Sequence, residues 1–333
     1  MLKVLQNNTA LQVVLILAVA ALLWGPALAT PPVMATQAGD GVLYVLLCRW
    51  LEGVPRLAVI LALLLTLAEG IVLNLLLSDA GLVPQNSLLP TLLFVMAASA
   101  GTTTLSPMLL VCGLTLVCLD QLMLRTTLLT IPAIKVCHTT ALIAVATMFY
   151  VPSVALLLTY LLVAANYRLY SWRDWMLLLL GFAAPYVMLL TVLYLTDGIA
   201  PWWNSEFGIR GLAFGSRGVA YHEIPIIRMA GYILLAAVLL WGLLRQNLRL
   251  GEHPVVWQKN ASTVMLFTVG GIAMLPFAAP LSLSMLPFAI PFTFCTTRIL
   301  MQATARSAFG SRRRHEWLYN IMLLLILIAA IVC

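Results

Sequence analysis

The chain has 333 residues, of which 63% are hydrophobic and only 9% are charged. A soluble domain carries about 25% charged residues, so most side chains here cannot face water, and lipid is the expected solvent. The formal net charge of +7 does not indicate nucleic-acid binding, because the basic residues lie between apolar blocks rather than in one patch. That distribution is typical of a membrane protein.

Apolar stretches of about 20 residues are long enough to cross the hydrocarbon core as helices. The sequence predicts an all-α transmembrane bundle of about eleven spans in one integral domain, residues 1–333. The predicted spans are 10–29, 55–78, 88–102, 105–124, 137–151, 152–167, 174–196, 226–244, 261–279, 282–299 and 317–333.

The first apolar run has two interpretations. Ala27-Leu-Ala29 resembles a signal-peptidase site, but the apolar blocks that follow need an orienting first span. We expect an uncleaved anchor. Pro152 raises a similar choice, because it either separates two short spans or kinks one helix between residues 137 and 166.

The basic residues favour two spans at Pro152. With eleven spans and a cytoplasmic N-terminus, thirteen of the 18 Lys and Arg residues are cytoplasmic. The other five are Arg49, Arg56, Arg210, Arg217 and Arg228. This asymmetry is the one that positive-inside insertion produces. The first expected partner is the lipid bilayer.

Two predicted outer loops, 30–54 and 197–228, carry the most varied chemistry. Within the first, residues 41–51 are too polar to span and too apolar for free solution, so we expect an amphipathic helix along the membrane surface. The candidate site residues of the two loops are Asp40, Trp202, Trp203, Arg210, Arg217, His222 and Arg228. Arginines bind phosphate, and tryptophans stack on sugars. The alternative is an ordinary solvated loop.

Two acidic residues fall within predicted spans. Asp120 lies about one helical turn from Arg125, which favours a structural ion pair. Glu69 has no cation nearby in the sequence and adjoins Gly70. Because a carboxylate in hydrocarbon is costly, Glu69 is a candidate for a proton path or for binding a polar substrate, unless it only bonds to another helix.

The cysteines and histidines indicate no metal or other cofactor. The six cysteines include no CxxC pair and are expected to pack as small apolar residues. A four-histidine iron centre requires all four ligands on one side, but the predicted topology places His222 outside and His138, His253 and His315 at or near the cytoplasm. The chain has no Walker loop, GxSxG, HExxH or Asp-x-x-x-Asp motif.

One stretch resembles a known family. The segments 146–152 (ATMFYVP), 170–175 (YSWRDW), 181–186 (GFAAPY) and 86–94 (NSLLPTLLF) are similar to motifs of a poorly characterised inner-membrane family of the Bacteroidota. Some of its members carry a carotene monooxygenase label, which the histidine placement opposes here. The family has no established activity to carry over. His138 stands where relatives tend to have an acidic residue, so no site transfers there.

The arrangement of spans and loops suggests two classes of function. An anchor, an outer loop with a surface helix and a second arginine-bearing outer loop are loosely analogous to polyprenyl-sugar transferases and O-antigen polymerases. We therefore expect an envelope-biogenesis protein that handles a lipid-linked glycan or another polyprenyl substrate. Asp40 or His222 is then the base, and the outer arginines clamp the diphosphate. The alternative is a transporter that uses Glu69, or a membrane scaffold for other envelope proteins.

Overall fold

A computed structural model describes residues 9–32, 34, 39–84, 87–101, 103–124, 133–167, 171–198, 226–275, 286–307 and 312–332. These ranges are helical apart from short connections and one isolated β-bridge. The helices are α1 Thr9–Ala29, α2 Val42–Leu51, α3 Pro55–Asp79, α4 Leu89–Gly101, α5 Pro107–Leu122, α6 Ala133–Phe149, α7 Leu156–Asn166, α8 Trp172–Leu195, α9 Ile226–Asn247, α10 Val255–Met274, α11 Ala289–Ser307 and α12 Arg312–Val332. Turns of 3₁₀ helix occupy Val151–Ala155, Leu250–Glu252 and Leu286–Phe288.

The all-α prediction is confirmed, and each of the eleven predicted spans coincides with a described helix, α1 or one of α3 to α12. Among the described helices, α1, α3, α8 and α9 are long and apolar enough to cross a membrane by themselves. The largest difference is at α11, which begins seven residues after the start of the predicted span 282–299 and ends eight residues beyond it. Helix α10 begins six residues before the predicted span 261–279. Hydropathy misses this turn because its polar side chains, including Lys259 and Asn260, have partners inside the bundle.

Helix α4 is at the centre of the bundle. Residues 91–100 are all buried, and the helix packs against α1, α3, α11 and α12. A helix that is apolar on every side is stable only when other helices surround it. The side-chain bond from the Trp24 indole to the Ser99 hydroxyl, 2.9 Å, joins α1 to this centre.

The chain breaks and reverses between α6 and α7, as the split at Pro152 predicts. Helix α6 ends at Phe149, and the 3₁₀ turn that contains Pro152 leads into α7. Cys118 of α5 contacts the Thr139 carbonyl near the start of α6. Tyr167, after α7, reaches Asn260, which binds Leu124 at the end of α5. The start of α6 and the end of α7 therefore lie at the same end of the bundle.

Contacts between connections define two ends of the bundle. At the first, the Tyr150 end, Asp40 pairs with Tyr150, the Tyr44 hydroxyl donates to the Leu105 carbonyl, and the Tyr232 hydroxyl donates to the Ala100 carbonyl.

The opposite end, the Asn260 end, is defined by its own contacts. The backbone N–H of Leu88 donates to the Gln12 side chain, and Arg298 approaches both the Leu82 carbonyl and His253. The contacts at the two ends therefore indicate alternating directions for α1 and for α3 to α11, whereas the short α2 stays at the Tyr150 end.

Helix α8 lies at the periphery. It packs closely along α6, where Gly181 fits against the backbone and side chains of Cys137 and Thr140, and Tyr186 shares a 2.6 Å hydrogen bond with Thr147. Most of its remaining surface is apolar and exposed, as at Leu180 and Met188. An exposed apolar helix of this length is compatible with lipid contact.

The cysteine prediction is confirmed for the described residues. Cys48, Cys112, Cys118 and Cys295 are buried free thiols, and Cys137 is a half-buried one. Of the predicted ion pair, Asp120 is half-buried in α5, whereas Arg125 lies outside the described residues.

Asn260 joins α10 to the end of α5. Its fully buried amide accepts from the Leu124 N–H and donates to the Leu124 carbonyl, both at 2.9 Å. These two backbone groups follow the last turn of α5 and have no helical partner there. The amide therefore satisfies a helix end that water cannot reach.

Replacing Asn260 with leucine should destabilise the bundle markedly. Asn260→Leu leaves the N–H and carbonyl of Leu124 buried without these partners, at a cost of about 1–3 kcal/mol. Thermal unfolding of the purified protein in detergent measures the loss. The control is Ser262→Ala, which removes a half-buried bond to Asn166 and should lower the melting temperature much less. Equal melting temperatures for the two variants would contradict the prediction.

Candidate functional site

Asp40 is buried at the Tyr150 end, where backbone hydrogen bonds hold it in place. Its side chain is 3% exposed, and its backbone forms the isolated antiparallel bridge with Tyr150. The bridge is closed by hydrogen bonds from the Gly41 N–H to the Phe149 carbonyl, 2.8 Å, and from the Val151 N–H to the Gly39 carbonyl, 2.9 Å. At Gly41 a Cβ would collide with the Met148 carbonyl, so only glycine permits this approach.

Helix α2 is amphipathic, as predicted for residues 41–51. Tyr44, Cys48 and Leu51 are buried along one face, whereas Arg49 and Trp50 are exposed. Burial, and then the nearby Asp40 carboxylate, raise the pKa of the Cys48 thiol. A general base needs contact with substrate or water, so this enclosed position favours a structural role for Asp40, namely holding the loop onto α6.

Glu69 lies far from Asp40, about three-fifths of the way along α3. Its side chain is 3% exposed. The Cys112 thiol and the Gly113 backbone of α5 face the carboxyl, but neither makes a well-formed hydrogen bond to it. The adjoining Gly70 packs against Thr91 and Phe94 of α4. The carboxyl is therefore enclosed between α3 and α5.

Arg228 is an exposed residue in the first turn of α9, at the Tyr150 end. It is one turn before Tyr232, whose hydroxyl reaches the Ala100 carbonyl. The structure thus places Arg228 and Asp40 at the same end of the bundle, where both were predicted. The other predicted site residues, namely Trp202, Trp203, Arg210, Arg217 and His222, lie outside the described residues.

An apolar groove opens in the half of the bundle nearer the Tyr150 end. Its volume is about 330 Å³, within the range of about 300–1,000 Å³ typical of ligand pockets. The exposed residues Leu240 and Ile272 contribute to its wall, so it opens sideways between helices. Its walls also include Ala97, Leu235, Leu239 and Phe292.

Among the described residues, the groove offers almost no polar group to an occupant. The polar residue among those that line it is Thr268, whose hydroxyl donates to the Met265 carbonyl of its own helix at 2.7 Å. Leu235 and Leu239 follow Arg228 by seven and eleven residues, which places all three on one face of α9. Arg228 therefore lies about 10 Å along the helix from the start of the groove.

A third cluster lies at the Asn260 end. The Arg298 guanidinium approaches the His253 Nε2 at 3.1 Å and lies 4.8 Å from the centre of the Trp257 ring. The rings of His253 and Trp257 stack with centroids 3.9 Å apart. A second Arg298 nitrogen donates weakly to the Leu82 carbonyl, 3.4 Å away. The cluster fastens α11 to α10 and to the loop before α4.

The groove and the Arg298 cluster were not found by sequence reasoning. The groove is made of leucines and alanines that are indistinguishable in sequence from packing residues. One feature of the sequence does indicate the cluster. Arg298 interrupts an otherwise apolar run, and a charged residue in such a run usually has a partner. In the predicted topology, Arg298 is only one of the thirteen cytoplasmic basic residues.

Comparison of the chain with known protein families, curated proteins and solved structures finds no match. Conclusions about function therefore depend on the geometry of the described residues. Among the described residues, no group of three or more histidine, cysteine or acidic residues could hold a metal ion. The fold and these sites define a helical bundle whose long apolar helices are compatible with a membrane-embedded protein.

The Arg298 cluster should make stability depend on pH through His253. Burial, and then the Arg298 charge, lower the pKa of this imidazole, and Glu252 opposes the shift. The neutral ring accepts from Arg298, whereas a protonated ring repels it. The unfolded chain therefore binds the proton more readily, and stability that is present above about pH 6.5 declines as the pH falls below that value.

The measurement is the melting temperature of the wild type and of His253→Gln at neutral and mildly acidic pH. Glutamine keeps a hydrogen-bond acceptor near Arg298 but does not titrate. The acid-induced decrease should be smaller in the variant than in the wild type. Identical decreases would show that His253 makes no contribution.

Proposed function

We propose that this chain is a polytopic protein of the bacterial inner membrane, with eleven spans and a cytoplasmic N-terminus, that handles a lipid-linked substrate. The topology is supported by the contacts at the two ends. The loops predicted outside, at Asp40, Leu105 and Tyr150, all lie at the Tyr150 end. The segments predicted inside, at Leu82 and Leu124, lie at the Asn260 end.

Cysteine labelling tests this topology. Glu52 follows α2 and Glu252 precedes α10, and both are exposed. A membrane-impermeant maleimide applied to intact spheroplasts should label Glu52→Cys, whereas Glu252→Cys should react only after permeabilisation. The unsubstituted chain provides the background from native thiols. Labelling of both positions from the same side would contradict the proposed orientation.

The groove is the observation that carries the lipid-handling proposal. In a membrane its sideways opening faces hydrocarbon, and the described residues of its walls are apolar except for Thr268, whose hydroxyl donates within its own helix. The occupant that fits is the chain of a lipid. The Arg228 charge on the same face of α9, toward the outer end, complements the phosphate of that lipid. A polyprenyl phosphate or a lipid-linked glycan has both parts.

Filling the groove should reduce lipid binding. Ala236 and Ala237 are both exposed, but Ala236 lines the groove and Ala237 does not. A polyprenyl phosphate with a photoreactive diazirine in its chain should label the α9 and α10 peptides of the wild type and of Ala237→Trp. Ala236→Trp should lower this labelling several-fold, because its indole occupies the space of the chain. Peptide mapping by mass spectrometry gives the readout.

The charge is tested separately. Arg228→Gln should weaken labelling by the phosphate probe but leave labelling by the corresponding uncharged polyprenol unchanged, whereas Arg245→Gln, at the other end of α9, should change neither. If Ala236→Trp and Ala237→Trp label alike, the groove does not hold the lipid. A fixed copurifying protein partner would then favour the scaffold alternative.

A second candidate, a transporter, is favoured by the enclosed carboxyl of Glu69. A carboxyl without a hydrogen-bond partner between two packed helices is a common feature of proton-coupled carriers. If transport of a solute depends on this group, Glu69→Gln abolishes its pH dependence while lipid labelling of the groove persists. The two candidates are therefore distinguishable with the same set of variants.

A further inference from the structure

Glu69 occupies a position in which a fixed charge is unfavourable. Along the axis of α3, Glu69 lies about 21 Å from the N-terminus of the helix and about 15 Å from its C-terminus. It is 3% exposed, and neither carboxyl oxygen has a hydrogen-bond partner. An isolated carboxylate in such surroundings carries a desolvation cost of several kcal/mol, which uptake of a proton removes.

Helix α5, which faces Glu69, has a glycine where it contacts the carboxyl. Gly113 of α5 faces Glu69 so closely that a Cβ on it would lie 2.8 Å from Oε1. Glycine costs about 1 kcal/mol relative to alanine inside a helix, so this position sacrifices helix stability to make room for the carboxyl. The Cys112 thiol, adjacent in sequence, is the titratable group that faces Glu69 from α5.

The groups around Glu69 determine which ion the carboxyl can bind. Calcium and magnesium need six or more oxygen ligands, and the described residues contain no metal-binding group of histidine, cysteine and acidic side chains. The close approach of Gly113 to the carboxyl favours a proton, the smallest ligand that a carboxyl can bind. From this geometry we propose that Glu69 and Gly113 form a buried proton-binding site between α3 and α5, at which the carboxyl exchanges a proton with the solvent.

Proton exchange has a structural consequence. The protonated carboxyl fits the closed interface, whereas the carboxylate requires water or a cation. Loss of the proton therefore favours separation of α3 from α5 near Gly113, and rebinding favours closure. The site lies apart from the groove and does not depend on lipid binding there.

Infrared spectroscopy of the full-length protein in lipid tests the site. A protonated carboxyl in apolar surroundings has a C=O stretching band distinct from that of a carboxylate. The band should be present at neutral pH, disappear as the pH is raised, and be absent from Glu69→Gln. Gly113→Ala displaces only the end of a flexible side chain, so it should fold while shifting the band or its titration midpoint.

Gly25→Ala is the matched control, because a Cβ at this helical glycine meets nothing within 4 Å. It should leave the band unchanged. Three results would overturn the site: a wild-type spectrum without the band, a band that persists at every pH at which the protein stays folded, and a band that is identical in Gly113→Ala and the wild type. Lipid labelling of the groove in Glu69→Gln should remain at the wild-type level, which separates this result from the fate of the lipid proposal.

Discussion

The structure depends on one constraint, namely that backbone polar groups must find partners inside the protein wherever water cannot reach them. Helices satisfy this requirement along their length but not at their ends. The bundle therefore joins helix ends by specific bonds. The Asn260 amide forms hydrogen bonds with the backbone at the end of α5. The bridge between Asp40 and Tyr150 provides backbone partners at the break between α6 and α7.

Much of this fold follows from composition. The long apolar runs in α3 and α8 leave helices as the available solution, and their bounds agree with the prediction to within a few residues. The break at Pro152 was predicted from two features that agreed, the ring that interrupts a helix and the charge asymmetry. Local signals were sufficient here because each element satisfies its own hydrogen bonds.

The parts that sequence reasoning missed depend on contacts between distant segments. The extra first turn of α10 is stable because Asn260 finds Leu124, 136 residues earlier. The groove lies between α9, α10, α4 and the start of α11, and no residue type records the spacing of these helices. Asp40 was singled out for its chemistry, yet Gly41 and the Met148 carbonyl hold it in an enclosed position. A sequence shows which groups are reactive but not which are enclosed.

Helix α4 is shorter than the hydrocarbon core of a bilayer is thick. Its thirteen residues measure about 20 Å, against about 30 Å of hydrocarbon, whereas the neighbouring α3 exceeds that thickness. Residues 91–100 are all buried among other helices. In a bilayer, the mismatch between the length of α4 and the hydrocarbon thickness therefore costs little, because protein and not lipid contacts its sides.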